Sequence, residues 1–207
     1  SSGTLTPATL ELRNSDAAAT NATGNGGALA LDAKNILMGE GKVDFAFDAT
    51  TMDADQRVIF AGLGESGFDG ALTIRAAEIT GESGAGHVVT AAGVTQLRGN
   101  GSTAVLPAFA SAGALLDFRG TDVLIDAALR AGSGPVRATA SEGDVRLAPG
   151  AKIDVGGADV SFFEVQGFLP GGSIQLTSVN GDTLVEEGSL LNVSGGSAGG
   201  DAGAVAL

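Results

Sequence analysis

A short phrase recurs along this chain: a glycine, a small or polar residue, then apolar-x-apolar. It reads Gly27-Ala28-Leu29-Ala30-Leu31, Gly70-Ala71-Leu72-Thr73-Ile74, Gly113-Ala114-Leu115-Leu116, Gly143-Asp144-Val145-Arg146-Leu147, Gly172-Ser173-Ile174-Gln175-Leu176 and Gly203-Ala204-Val205-Ala206-Leu207. Successive copies start 43, 43, 30, 29 and 31 residues apart. Self-similarity at such periods marks a repeat architecture. A second strand-like run follows within each period, at 35–37, 78–80, 122–125, 152–155 and 183–185. Turn sequences such as Asn180-Gly181-Asp182 and Pro149-Gly150 separate the runs. Ala17-Ala18-Ala19 and 127–130 allow a helical turn or two, but no segment carries a sustained 3.6-residue period.

Many short strands with regular turns suit either a sandwich or a parallel β-helix. A sandwich reverses direction at each strand and spaces its strands 8–12 residues apart. Here like phrases return at whole-coil spacing, so the expectation is an all-β, parallel β-helix (β-solenoid) over 1–207, one continuous segment with irregular loop insertions. Small residues suit the narrow core of such a coil, and Ala30, Ala33, Ala76 and Ala77 are expected to face inward. At about 22 residues per coil the chain makes nine or ten coils, about 45 Å of rod. Three stretches break the rhythm and are expected to be loops: 41–66, 99–112 and 161–171. In solenoids insertions gather on one face, often the binding face. The plainer expectation for their Phe residues is that they plug wider coils.

Composition narrows the function classes. Glycine supplies 34 of 207 residues and apolar residues 43%, enough to build both turns and a core. Cysteine is absent, which removes disulfide scaffolds and thiolate metal sites. The net charge is −13, so nucleic acid and anionic membrane surfaces are poor partners. No apolar run is long enough to span a bilayer as a helix. The chain starts at Ser1 without Met and stops in a strand-like run, so it reads as an excerpt of a longer protein. Cut ends of a solenoid present unpaired edges, and the isolated fragment is expected to associate end to end, with no obligate homo-oligomer.

Motifs that carry chemistry elsewhere find little context here. Gly62-x-Gly64-x-x-Gly67 has dinucleotide-binding spacing, but the strand-like 71–75 follows it where a helix is required. Gly195-Gly196-Ser197-Ala198-Gly199 has nucleophile-elbow spacing, again with no helix to follow. The single histidine, His87, lies at the start of a strand and is expected at the surface. Zinc needs three or four ligands, which one histidine and no cysteine do not provide. Asp53/Asp55 and Glu186/Glu187 are candidate calcium carboxylates, and 196–201 approaches a calcium nonapeptide once without repeating. A solvated face is the plainer reading of these acids. For a polysaccharide lyase or hydrolase the candidates are Asp117, Arg119, Asp122 and Asp126. The absence of Trp and Tyr weighs against a sugar cleft. No catalytic, cofactor-binding or metal residue is assigned, and no cofactor is expected. Asn21, Asn100 and Asn192 head Asn-x-Ser/Thr sequons, which mark exposed turns.

The runs at 26–36, 143–157, 170–176 and 188–196 together resemble filamentous haemagglutinin-like exoproteins. The resemblance rests on repeat style and covers most of the chain. It implies a right-handed parallel β-helix and a non-enzymatic shaft segment of a large secreted surface protein of Gram-negative bacteria. It also implies export through an outer-membrane two-partner-secretion transporter, and a parent that serves adhesion, biofilm or toxin delivery. A host-cell receptor or glycan is the expected partner class. The family's Asn-Pro-Asn secretion motifs are not seen, since the chain has no Asn-Pro pair.

Overall fold

The computed structural model describes residues 7–14, 26–109, 111–162, 165–197 and 199–207, with the backbone path alone for 159–162 and 165–166. Among them there is no helix. Twelve strands form one sheet, seven another, and two a small separate sheet. Every pairing in the two large sheets is parallel. A hairpin of Asp159–Phe162 with Val165–Phe168 supplies the antiparallel pairing.

The chain visits three faces in a fixed order and returns one rung higher, an arrangement compatible with a β-solenoid. Face one stacks 28–33, 49–54, Ala71–Ala76, Thr95–Gly99, Val123–Asp126, Val145–Leu147 and Thr183–Val185. Face two stacks Thr9–Leu12, 35–38, 57–60, Glu78–Gly81, Ala128–Arg130, Lys152–Asp154 and Leu190–Asn192. Face three stacks Gly41–Phe45, Leu63–Phe68, Gly86–Ala91, Leu115–Gly120, Pro135–Ala140, Ser173–Ser178 and Ala204–Ala206. In the earliest rungs faces one and two are a single long strand, Ala28–Met38 and then Ala49–Phe60.

Alternation of apolar and polar residues puts one side of every strand inside. Because the rungs are in register, like side chains stack on like. Met52, Ile74, Leu97, Ile125 and Leu147 form one buried column on face one. Ile36, Val58, Ile79, Leu129 and Ile153 form another on face two. Each such side chain contributes about 1.5–3 kcal/mol by leaving water. The core is thus a set of columns running along the rod.

Several expectations change. The glycine phrase does not occur once per coil. Its copies at 27, 70 and 143 open face one, and those at 113, 172 and 203 open face three. Two corners of each coil call for the same chemistry, a tight turn that then enters a half-buried strand. Gly134, Gly172 and Gly203 show why. A Cβ on any of them would strike the backbone of the corner beneath, at Ala114, Gly134 and Gly172 respectively. Residues 41–66 are no loop. They form regular rungs whose corner at Asp48-Ala49 lacks the glycine, so the phrase skipped a coil. Of residues 127–130, Ala128–Arg130 is a strand. Ala33 and Ala76 are buried as expected, but Ala30 is exposed and Ala77 half-buried. Each face carries seven strands, about 30 Å of stacking, because insertions consume residues that nine or ten coils would have used. The helical reading of 17–19 lies outside the described residues.

The stretch 100–109 is an insertion of another kind. Faces one and three both have a fourth rung, Thr95–Gly99 and Leu115–Gly120, but face two does not. Glu78–Gly81 pairs directly with Ala128–Arg130, and 100–109 loops outward instead.

Candidate functional site

The loop 100–109 folds back over face two and covers Arg57, leaving it 8% exposed. Arg57 Nε donates to Glu78 Oε1 at 2.7 Å, Nη2 donates to the Pro107 carbonyl at 2.5 Å, and the guanidinium lies 5.3 Å from the Phe109 ring centre. Asn100 anchors the other end of the loop, donating from Nδ2 to the carbonyls of Ala54 and Asp55 at 2.9 Å each. Ser111 restores the coil by sharing the Arg130 carbonyl with Thr80.

On the far side of this loop a groove of about 320 Å³ runs over face two. Phe109 stands at one end, and the base of the 159–168 hairpin, Gly157 and Ala158, forms a wall. Arg130, Asp154 and Asn192 follow one another up its floor, as stacked residues on consecutive rungs. The floor is internally braced. Asn192 Nδ2 donates to Asp154 Oδ1 at 2.7 Å, the Gly156 amide to the same oxygen at 3.2 Å, and the Ser194 amide to Asn192 Oδ1 at 3.1 Å. Lys152 Nζ sits 3.4 Å from Asp154 Oδ2. One of the three stretches singled out in the sequence, 99–112, therefore lines this groove through Phe109, Ser111 and Ala112, whereas 161–171 gives it no lining residue and only the preceding Gly157 and Ala158 reach it.

A second cleft, of about 380 Å³, lies on the outside of face three. Lys42, Asp44, Glu65, Val88, Thr90 and Arg119 are among its lining residues. Lys42 and Asp44, two residues apart on the strand Gly41–Phe45, pair at 3.8 Å. Asp117, beside it, is 3% exposed. Its Oδ2 accepts from Arg119 Nη2 at 2.6 Å, while Oδ1 has no partner. That hydrogen bond raises the Arg119 pKa further. Asp117 and Arg119 thus meet as an ion pair. Their fellow candidates lie elsewhere. Asp122 sits at the corner after Leu115–Gly120, where Oδ1 accepts the Asp144 amide at 3.0 Å. Asp126 is exposed on face one. The four acids and bases do not converge on one point.

Corner carboxylates follow a pattern that composition did not disclose. Asp48 accepts the Gly27 amide, Asp122 that of Asp144, and Asp144 in turn that of Asp182. These acids cap backbone donors of neighbouring rungs, so part of the negative charge is structural. The calcium candidates are separated too. Asp53 faces Arg75 at 3.6 Å, and Glu186 pairs with Arg146. Among the described residues no group of three acids or histidines is placed to hold a metal ion.

His87 departs from expectation. It is 1% exposed and points into the core from face three, against the Phe60 ring at 5.2 Å. Its Nε2 lies 2.9 Å from the Ala61 carbonyl, which accepts, so the proton belongs on Nε2 and Nδ1 is left buried without a partner. Space for the ring exists because Gly64 lies directly beneath it, where a Cβ would strike the imidazole. Gly64 and Gly67 belong to the strand Leu63–Phe68, not to a phosphate loop. Ser197 lies in a turn closed by the bridge Gly196↔Gly199, about four rungs from His87, roughly 19 Å. Ala198 of that run is outside the described residues, as is Asn21. The other two sequon asparagines, Asn100 and Asn192, spend their side-chain amides on the hydrogen bonds given above. The Phe residues divide: Phe45, Phe60, Phe68 and Phe118 are core, whereas Phe109 is half-buried and Phe168 is 40% exposed.

No protein-family model, curated protein or solved structure matches the chain. No helix among the described residues is long and apolar enough to cross a membrane.

Proposed function

We propose that this chain is a length of right-handed parallel β-helix serving as a shaft segment in a large secreted bacterial surface protein, of the kind that filamentous haemagglutinin-like exoproteins exemplify. The observation that carries the reading is the parallel, rung-on-rung stacking of three seven-strand ladders along the chain. A coil that contacts only its neighbours adds its own increment of stability, so the rod can be lengthened coil by coil. Such a body adds reach without adding chemistry. The right-handed sense follows from the twist of strands, which makes parallel crossovers right-handed in about 98% of cases. Export through an outer-membrane transporter belongs to the same proposal, as does a non-enzymatic role.

The test is where the protein resides. Antibodies raised against the folded chain are expected to label intact, unpermeabilised source cells or their culture fluid. Labelling confined to lysed cells would overturn the reading. A crystal structure with left-handed coils would overturn its handedness alone.

A further inference from the structure

We propose that the groove between the 100–109 loop and the base of the 159–168 hairpin binds an extended, uncharged polysaccharide. This goes beyond the shaft reading and does not depend on it.

Three observations converge on that ligand. The first is the wall. Phe109 offers a half-exposed ring beside the groove, and ring faces of this kind take the C–H side of a sugar. The absence of Trp and Tyr left the chain without the usual stacking residues, and Phe109 supplies the missing surface. Its placement is held by the buried Arg57, which is hydrogen-bonded to the same loop.

The second is the floor. Arg130 is exposed and makes no ion pair among the described residues, although most cations of this acidic chain do. Asp154 stands one rung above it. Asp154 Oδ1 is taken by Asn192 and Gly156, but Oδ2, beside Lys152 Nζ, keeps a lone pair. A guanidinium that only donates and this remaining acceptor on the next rung are complementary to a pair of adjacent hydroxyls, each of which does both. Asn192 and Ser194 continue the polar line on the next rung. Because Asp154 and Asn192 already brace one another, little ordering remains to be done on binding. Rungs recur every 4.8 Å or so, a step comparable to the rise of one sugar in an extended chain, so successive sugars of a linear polymer meet the polar residues of successive rungs.

The third is charge. A net charge of −13 repels polyanions, and an acid lies in the floor itself. Arg130 and Asp154 offset one another within the groove, so the net charge of the whole chain decides, and it favours a neutral chain over a uronate or sulfated one.

Isothermal titration of the folded 207-residue chain with cello-, malto- and manno-hexasaccharides, with polygalacturonate as the anionic comparison, tests the proposal. At least one neutral hexasaccharide is expected to bind with a dissociation constant of about 1 mM or tighter. Phe109→Ala and Arg130→Gln should each weaken it about tenfold or more, with circular dichroism unchanged, while Thr139→Ala on face three leaves it alone. The proposal is overturned if no neutral hexasaccharide binds at millimolar concentration. It is equally overturned if polygalacturonate binds more tightly than all three, or if both groove variants bind as the parent does.

Discussion

His87 sits where a hydrophobic residue would be expected and earns its place by donating to a corner carbonyl that would otherwise be buried alone. The arrangement makes it sensitive to acid. Burial holds its pKa below the ordinary 6.5, with the Ala61 hydrogen bond opposing. The folded chain therefore keeps the ring neutral at pH values where the unfolded chain already takes up a proton. Stability is full above pH 6.5 and is expected to fall as the pH drops from there toward the lowered value. Urea midpoints measured between pH 7.5 and 5.5 should decrease, and His87→Leu should flatten that slope even though it loses about 1 kcal/mol at neutral pH with the hydrogen bond. A slope unchanged in the variant would assign the acid sensitivity to other groups. Nothing in the local sequence Gly86-His87-Val88 distinguishes this buried site from a surface one. The deciding residue is Gly64, twenty-odd positions earlier and directly below on the previous rung, a neighbour that only the pairing register reveals.

Strands were the most readable elements, because alternation and glycine turns are local signals. The rung at 71–76 and the one at 145–147 follow the phrase directly. Assigning a strand to a face was harder. Two corners use the same glycine chemistry, so equal phrases at 143 and 172 lie on different faces, and the irregular spacings mixed the two. The rungs hidden in 41–66 escaped because Asp48 caps that corner in place of a phrase glycine. Of the groove, the stretch 99–112 was visible as a break in rhythm, but what it would meet was not. That depends on Arg130 pairing past the missing rung, a contact set by non-local stacking. Arg57 is the residue that ties the first insertion down, and neither it nor Arg130 had a sequence signal. Arg57→Ala is expected to cost about 3 kcal/mol, since it leaves Glu78 without its nearly buried partner. Limited proteolysis should then cut faster around Val105, which is already 98% exposed. If the variant kept parental stability and cleavage rate, the clamp would have no structural role.

At the scale of the whole molecule, stacking of neighbour on neighbour means that damage stays local. Leu176 is buried in the sixth rung of face three. Leu176→Ala should remove about 2–5 kcal/mol there, while rungs far from it have lost no contact. Hydrogen exchange is expected to rise across Ser173–Ser178 and Ala204–Ala206 and to stay slow in 49–60. Uniform acceleration along the chain would instead indicate one cooperative unit. The skipped rung on face two has a different consequence. Between Glu78–Gly81 and Ala128–Arg130 two sides of the column carry one course that the third omits, which is the defect that metallurgists call an edge dislocation. A column built so must lean toward its short side or hold tension there. In a long fibre of such coils, the positions of omitted courses would set its curvature, so that an insertion of some ten residues writes the camber of a rod many times its length.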